Sequence, residues 1–215
     1  MTSFAVIDFE TTGMRAGEDR IIEVAAAIIE NGEVVATFSE LMNPGYRIPY
    51  FITALTGITD AMVRGKPRPE VVMPRLRAFL GERHCVAHNA GFDRRFFAAE
   101  MDRAGEAHER HFLCSVLLAR RLVQGAPNHK LGDLARHLGL TMPPEMHAHR
   151  ALADVVMTCQ LWNHLRNLLR ERLGGREPDL ELMQSVMRLP KAKVGVYLDA
   201  CAVLAKDRQR SSTSG

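Results

Sequence analysis

Three features of this sequence predict an α/β domain built on a mixed sheet. Residues 4–42 read as a three-strand meander, residues 69–138 alternate between strand and helix periods, and residues 151–173 carry one long amphipathic helical repeat. A meander followed by strand–helix alternation places antiparallel and parallel neighbours in a single sheet.

The first strand, FAVIDFETTG at 4–13, is an apolar run that ends in two acids. Strand side chains alternate between faces, so Asp8 and Glu10 share one face while Phe9 takes the other. Like charges this close need a proton or a cation between them, and a hard divalent metal is the simplest cation. A strand running out into solvent with surface acids would read the same way, so the rest of the chain has to decide. Residues 21–29 are apolar except for Glu23, the pattern of a strand covered on both faces. The Asn31-Gly32 dipeptide favours the positive φ angles of a tight hairpin, so 33–42 returns as an antiparallel neighbour, closed by Asn43-Pro44-Gly45.

Helical periods begin further on. Thr59 and Asp60 precede a short helix, and Pro69-Glu70 opens another that carries Val72, Leu76, Phe79 and Leu80. Residues 83–87 form a short strand, followed by a helix through Phe92, Phe96, Ala99 and Glu100. Residues 112–114 make a last strand, with helices at 116–122 and 131–138. From 151 to 173, Leu152, Val155, Val156, Cys159, Trp162, Leu165 and Leu169 recur at three- and four-residue steps until Gly174-Gly175 ends the helix. The main domain is therefore assigned to 1–174. Residues 175–207 suit two short helices too small to fold alone, a helical extension packed on the main domain or on a partner, and 208–215 a disordered tail.

Composition narrows the function classes. The 215 residues are 47% hydrophobic, enough for one sizeable core. The formal net charge of +3 permits an anionic partner without requiring one. Cys85, Cys114, Cys159 and Cys201 are far apart and form no C-x-x-C pair, which speaks against a zinc site or a disulfide framework. With no basic-plus-apolar leader and no apolar run near the ~20 residues of a membrane span, a cytoplasmic location without membrane contact is expected.

Two further acids lie where the active site of an α/β domain forms. Asp93, in HNAGFD at 88–93, starts a helix directly after a strand, although a helix-start aspartate is also stabilised by free N–H groups alone. Asp154, in HRALAD at 149–154, sits among Leu152, Val155 and Val156, where an acid beside a buried face needs a partner or a metal. His149, five residues earlier, belongs to the loop or first turn leading in. An imidazole titrating near ~6.5 suits a general base, with His147 as its rival. Four carboxylates and a histidine fit phosphodiester hydrolysis, in which two hard ions ~3.5–4 Å apart flank the reacting phosphate.

IDFETTG at 7–13, HNAGFD at 88–93 and HRALAD at 149–154, in this order, resemble the three motifs of the DEDDh branch of the DEDD 3′-to-5′ exonucleases. This is the family of the proofreading (epsilon) subunit of bacterial DNA polymerase III and of several stand-alone exonucleases, and the resemblance spans 3–169. LTGITD at 55–60 also resembles a family segment near the substrate, with Thr56 where a histidine is common.

The resemblance implies a ribonuclease-H-like fold, a five-stranded mixed sheet flanked by helices. It implies two Mg2+ or Mn2+ ions: Asp8, Glu10 and Asp154 hold the one that activates water, Asp8 also touches the second, Asp93 supports that second ion, and His149 deprotonates the nucleophile. The backbone at Thr11 and Thr12 receives the 3′-terminal nucleotide, with Phe92 and Ile58 against its sugar or base. The activity implied is release of nucleoside 5′-monophosphates from a 3′ end in proofreading or repair, with DNA favoured over RNA. An exoribonuclease and a nucleic-acid-binding, polymerase-associated module without chemistry are the alternatives. Proofreading subunits attach to their polymerase beyond the nuclease domain, so the extension is expected to dock a DNA polymerase subunit, to form a homodimer face, or simply to cover the core.

Overall fold

The computed structural model describes residues 3–107, 109–141 and 150–212, with side chains in these ranges as far as residue 204. Its first half contains β1 (Ser3–Thr11), β2 (Ile21–Glu30), β3 (Glu33–Leu41), α1 (Tyr50–Thr56), α2 (Asp60–Val63), α3 (Pro69–Leu80), β4 (His84–Ala87) and α4 (Ala90–Ala104). Then come β5 (Phe112–Cys114), α5 (Ser115–Leu122), α6 (Leu131–His137), α7 (Ala151–Arg172), α8 (Leu180–Arg188), a 3-10 turn at Lys191–Lys193, and α9 (Val194–Ser212).

The five strands form one mixed sheet in the order β3-β2-β1-β4-β5. β1, β2 and β3 pair antiparallel, whereas β4 pairs parallel to both β1 and β5. The hairpin between β2 and β3 turns at Asn31 and Gly32, with φ of 53° and 90° as that dipeptide predicts. Nine of the ten β2 residues are buried, which accounts for its near-continuous apolar sequence. β3 is the exposed edge, and Glu33 and Glu40 help to keep it from pairing with another chain.

β1 divides its side chains between two cores. Phe4 and Val6 face α5, α6 and α7, together with Val155, Cys159, Trp162, Leu165 and Leu169 of the long helix. Ala5, Ile7 and Phe9 face α3 and α4, with Leu76, Leu80, Phe96, Phe97 and Met101. Helices therefore cover both faces of the sheet, as the sequence predicts. Leu182, Met183, Val186, Met187, Val194 and Leu198 of the extension join the α7 core, so covering that core already accounts for their apolar character. Asp179 caps α8 by accepting the Leu182 N–H. α9 continues to Ser212, past the limit of 207 set from the sequence.

α1 has no counterpart in the sequence reading, because seven residues are too few for a helical period to stand out. It closes on Gly57 in the left-handed region, φ 73°. All four cysteines are free thiols. Among the described residues no helix is long and apolar enough to cross a membrane.

Candidate active site

The site forms where β1 outruns β4. Pairing with β4 covers only Phe4, Val6 and the residue between them, so from Ile7 onward that edge of β1 has no strand beside it. β4 ends at Ala87, Asn89 turns the chain through a left-handed conformation with φ 75°, and α4 begins at once. Asp93 lies in the first turn of α4, only 2% exposed. Asp8 and Glu10, both half-buried, stay on the α7 side of β1, continuing the row of Phe4 and Val6.

α7 crosses this face with its register set at both ends. Trp162 packs edge-on against Phe4, ring centroids 5.4 Å apart at 77°. From Trp162 back to Asp154 the helix rises about 12 Å, and from Phe4 to Asp8 the strand rises about 13 Å. The match delivers Asp154 to the acids of β1: Asp8, Glu10 and Asp154 each bring a carboxylate oxygen within 4.8 Å of the others.

Burial and neighbouring acids govern the electrostatics of this cluster. Burial, then the charges of Asp93, Asp154, Glu10 and Glu23, push the Asp8 carboxyl well above its ordinary value. Burial and the charges of Asp154 and Glu23 raise Glu10 to about 8 against the pull of Arg150. Burial raises Asp93 to about 7, although its own backbone N–H and that of Phe9 favour the ionised form. The Asp93 Oδ1 atom is buried with no hydrogen-bond partner among the described residues. A donor set made only of carboxylate oxygens, with one such oxygen left over, fits a hard divalent cation, whose charge would reverse these shifts.

Comparison with known proteins decides the family. The sequence profile of the family described as Exonuclease (RNase T) matches residues 5–162. The chain belongs to this exonuclease family. It is 34% identical over 161 residues to the DNA polymerase III subunit epsilon of Aquifex aeolicus, covering 74% of this chain and 78% of that protein. It is 36% identical over 170 residues to the PolC-type DNA polymerase III of Clostridium perfringens, covering 79% of this chain but only 12% of that much longer protein. Among solved structures, exonuclease X in complex with 5′ overhanging duplex DNA matches with a TM-score of 0.68 and 31% identity, over 86% of this chain and 99% of that one. An exonuclease I structure matches with a TM-score of 0.67 at 18% identity, over 86% of this chain and 43% of that one, and shows the shared fold.

Glu23 anchors the start of α7. It stands opposite Glu10 in the β1–β2 register and is 3% exposed. Its carboxylate accepts hydrogen bonds from Arg150 Nε at 3.1 and 3.2 Å, from Arg150 Nη2 at 2.6 Å, and from the Ala151 backbone N–H at 3.0 Å. These bonds satisfy a free donor at the helix start and fix the turn that carries Asp154. Sequence reasoning gave Glu23 no role. The signal was there: one acid inside an otherwise apolar strand needs a buried partner.

His88 also has a structural partner set. Its Nδ1 lies 2.9 Å from Ser115 Oγ and its Nε2 lies 3.0 Å from the His129 carbonyl, tying the end of β4 to α5 and to the loop before α6. Burial pushes its imidazole down to about 4.

The other sequence-predicted site residues divide. Thr12 is 1% exposed, and its backbone N–H is taken by the Arg20 carbonyl at 2.9 Å. Its hydroxyl accepts the Arg20 N–H and lies 2.7 Å from the Tyr46 hydroxyl. Thr11, also buried, donates its hydroxyl to the Gly13 carbonyl. Phe92, next to Asp93, is half-buried with its ring 4.7 Å from that of Phe96.

Ile58 is not brought to the site surface. The Gly57 turn folds it inward at 0% exposure among Ile22, Ile48, Ile52 and Val63, so the expected packing against a nucleotide has no exposed surface to use. Thr56 closes α1 by donating to the Ile52 carbonyl and accepting the Ile58 N–H. His149 and its rival His147 lie outside the described residues.

Proposed function

We propose that this protein is a 3′-to-5′ exonuclease that hydrolyses DNA one nucleotide at a time and releases nucleoside 5′-monophosphates. The observation that carries this reading is the convergence of Asp8, Glu10 and Asp154, with the buried Asp93 acting on Asp8 from α4. Asp8, Glu10 and Asp154 would hold one Mg2+ or Mn2+, and Asp8 with Asp93 a second. When bound, such a pair supplies an activated water on one side of the phosphodiester and charge stabilisation for the oxygen leaving on the other.

His149 takes a proton from the attacking water as the water oxygen bonds to phosphorus. The P–O3′ bond breaks, and the shortened strand departs with its O3′ reprotonated. The assignment of His149 rests on its place in the HRALAD motif, five residues ahead of Asp154. DNA as the polymer is supported by relatives named as DNA polymerase III subunits and by the exonuclease X structure with duplex DNA.

A time course on 5′-labelled single-stranded, paired and mismatched DNA, with magnesium and with manganese, tests the reading. Shortening from the 3′ end with release of 5′-monophosphates is expected, with slower loss of a matched RNA. Faster loss of the RNA would make the enzyme an exoribonuclease, and no metal-dependent cleavage of either would leave a binding module. His149→Ala should lose most activity with unchanged circular dichroism, while His147→Ala stays near wild type. Near-normal turnover by His149→Ala overturns the choice of base.

A further inference from the structure

Beside the acid cluster lies a surface that the chemistry of the cluster does not use. Residues 43–68 carry Arg47, Arg64, Lys66 and Arg68 against a single acid, Asp60. Their net charge of +3 equals that of the whole chain, so the other residues are neutral in sum. The same segment exposes Tyr46, Tyr50, Phe51 and Leu55 at 46%, 87%, 63% and 54%.

The exposure follows from how α1 is fixed. Ile52 and Thr56 are its buried residues, and Ile52 packs with Ile22, Ile48, Ile58 and Val63. With that side held, Tyr50, Phe51 and Leu55 are left in solvent. Phe51 and Leu55, four residues apart, form one stripe. Packing of the core does not explain three exposed aromatic rings within six residues, and such patches mark binding surfaces.

This surface is joined to the site. The Tyr46 hydroxyl lies 2.7 Å from the Thr12 hydroxyl, two residues beyond Glu10. The Arg68 guanidinium covers Gly45, next to Tyr46, in the space a Cβ there would need. Asn43 closes the segment, its N–H donating to the Pro67 carbonyl at 2.9 Å and its side-chain amide to the Arg64 carbonyl at 3.1 Å. Aromatic and basic groups thus share a segment that the Tyr46–Thr12 contact ties to the end of β1 that carries Glu10.

We infer that the aromatic–basic surface of residues 46–68 binds the single-stranded polynucleotide just upstream of the 3′ end that enters the acid cluster. Exposed rings stack on bases of any sequence, and arginine and lysine neutralise the backbone that the cluster's own negative charge repels. The positive charge and the direct link to Thr12 favour a polynucleotide over a protein occupant. The inference rests on the exonuclease reading above.

The experiment uses the full-length protein and two substrates. One is the p-nitrophenyl ester of thymidine 5′-monophosphate, which reports on the acid cluster but is too short to reach α1. The other is a series of single-stranded DNA oligomers of 3 to about 20 nucleotides. The Tyr50→Ala/Phe51→Ala variant changes only exposed side chains and should keep its melting temperature and its activity on the ester. Its KM for the longer oligomers should rise roughly tenfold or more with kcat little changed.

Tyr50→Trp/Phe51→Trp should restore KM, and Arg64→Gln/Lys66→Gln should flatten the dependence of log KM on log salt by about one unit. Equal KM values for wild type and the alanine variant on long oligomers overturn the inference and point to a protein partner for this surface. Failure of the wild-type enzyme to cleave either substrate overturns the exonuclease reading instead.

Discussion

Two clusters of partly and fully buried charges lie a few residues apart in this protein and are built on opposite principles. In one, Arg20 donates to Glu100 through Nε at 2.8 Å and Nη2 at 3.0 Å, and to Glu70 at 2.7 Å, while Arg103 adds a second cation to Glu100 at 3.1 Å. Burial alone would lower the Arg20 guanidinium, but the Glu100 and Glu70 carboxylates outweigh it and hold it above its ordinary value. In the other, burial first and then the charges of neighbouring acids raise Asp8 and Glu10, with Arg150 the opposing cation at Glu10, while burial raises Asp93. α4 contributes to both, Asp93 at its start and Glu100 two turns on. The fold pairs Glu100 and Glu23 with arginines, whereas Asp8, Glu10 and Asp154 bring carboxylate oxygens together in the donor set that suits a hard cation.

The sharpest test of this contrast is Asp8→Asn. It should lower kcat at least about a thousandfold, ~4 kcal/mol of barrier, and yet raise the melting temperature of the metal-free protein, because it removes a repelling charge. Loss of activity together with loss of stability would mean that the acids support the fold instead.

Glu100→Ala should behave in the opposite way. Leaving the buried Arg20 without the Glu100 carboxylate should destabilise the fold by roughly 3–5 kcal/mol, read by urea denaturation.

Glu23→Gln lies between the two clusters in kind. It keeps an acceptor for the Ala151 N–H but loses the charge that holds Arg150. Metal affinity, measured by calorimetry with Mn2+, should fall about 10–100-fold, with a smaller change in stability than Glu100→Ala gives. An unchanged affinity would show that Asp154 needs no anchor.

The smallest effect is the pH dependence of the metal-free protein. Glu10 titrates near 4.5 unfolded and about 8 folded, and Asp93 near 3.8 and about 7. Between these values the folded state binds more protons than the unfolded state, so stability falls as pH rises from about 4 to 8. His88, held down to about 4, acts the other way between 4 and its ordinary 6.5, so the decline should be clearest from 6.5 to 8. Mn2+ should remove that decline and EDTA restore it, read as the melting temperature at pH 6.5 and pH 8. A metal-free melting temperature independent of pH over this range would remove the contrast between the clusters.

How much of this was legible depended on whether the signal was local. The hairpin at Asn31 and Gly32, the burial of β2 and the repeat of α7 rest on side-chain periodicity and turn chemistry, which a sequence displays directly. Asp8 and Glu10 were visible as a pair because a strand has a period of two. α1 was missed for want of length, and Ile58 went inside because the turn at Gly57 reverses the chain, a feature with no periodic signature. Glu23 stood out as an oddity whose partner, Arg150, is 127 residues away.

By itself the sequence determined the elements, the acids they carry and the motifs that resemble those of the exonuclease family, since each is fixed by neighbours within a few residues. Only the tertiary structure decided which acids meet and which are neutralised. The shortness of β4 leaves β1 open beside α4, and packing of Trp162 on Phe4 sets α7 so that Asp154 arrives at Asp8 and Glu10. Contacts of that kind depend on matched rises along elements far apart in the chain, and no local rule of spacing contains them.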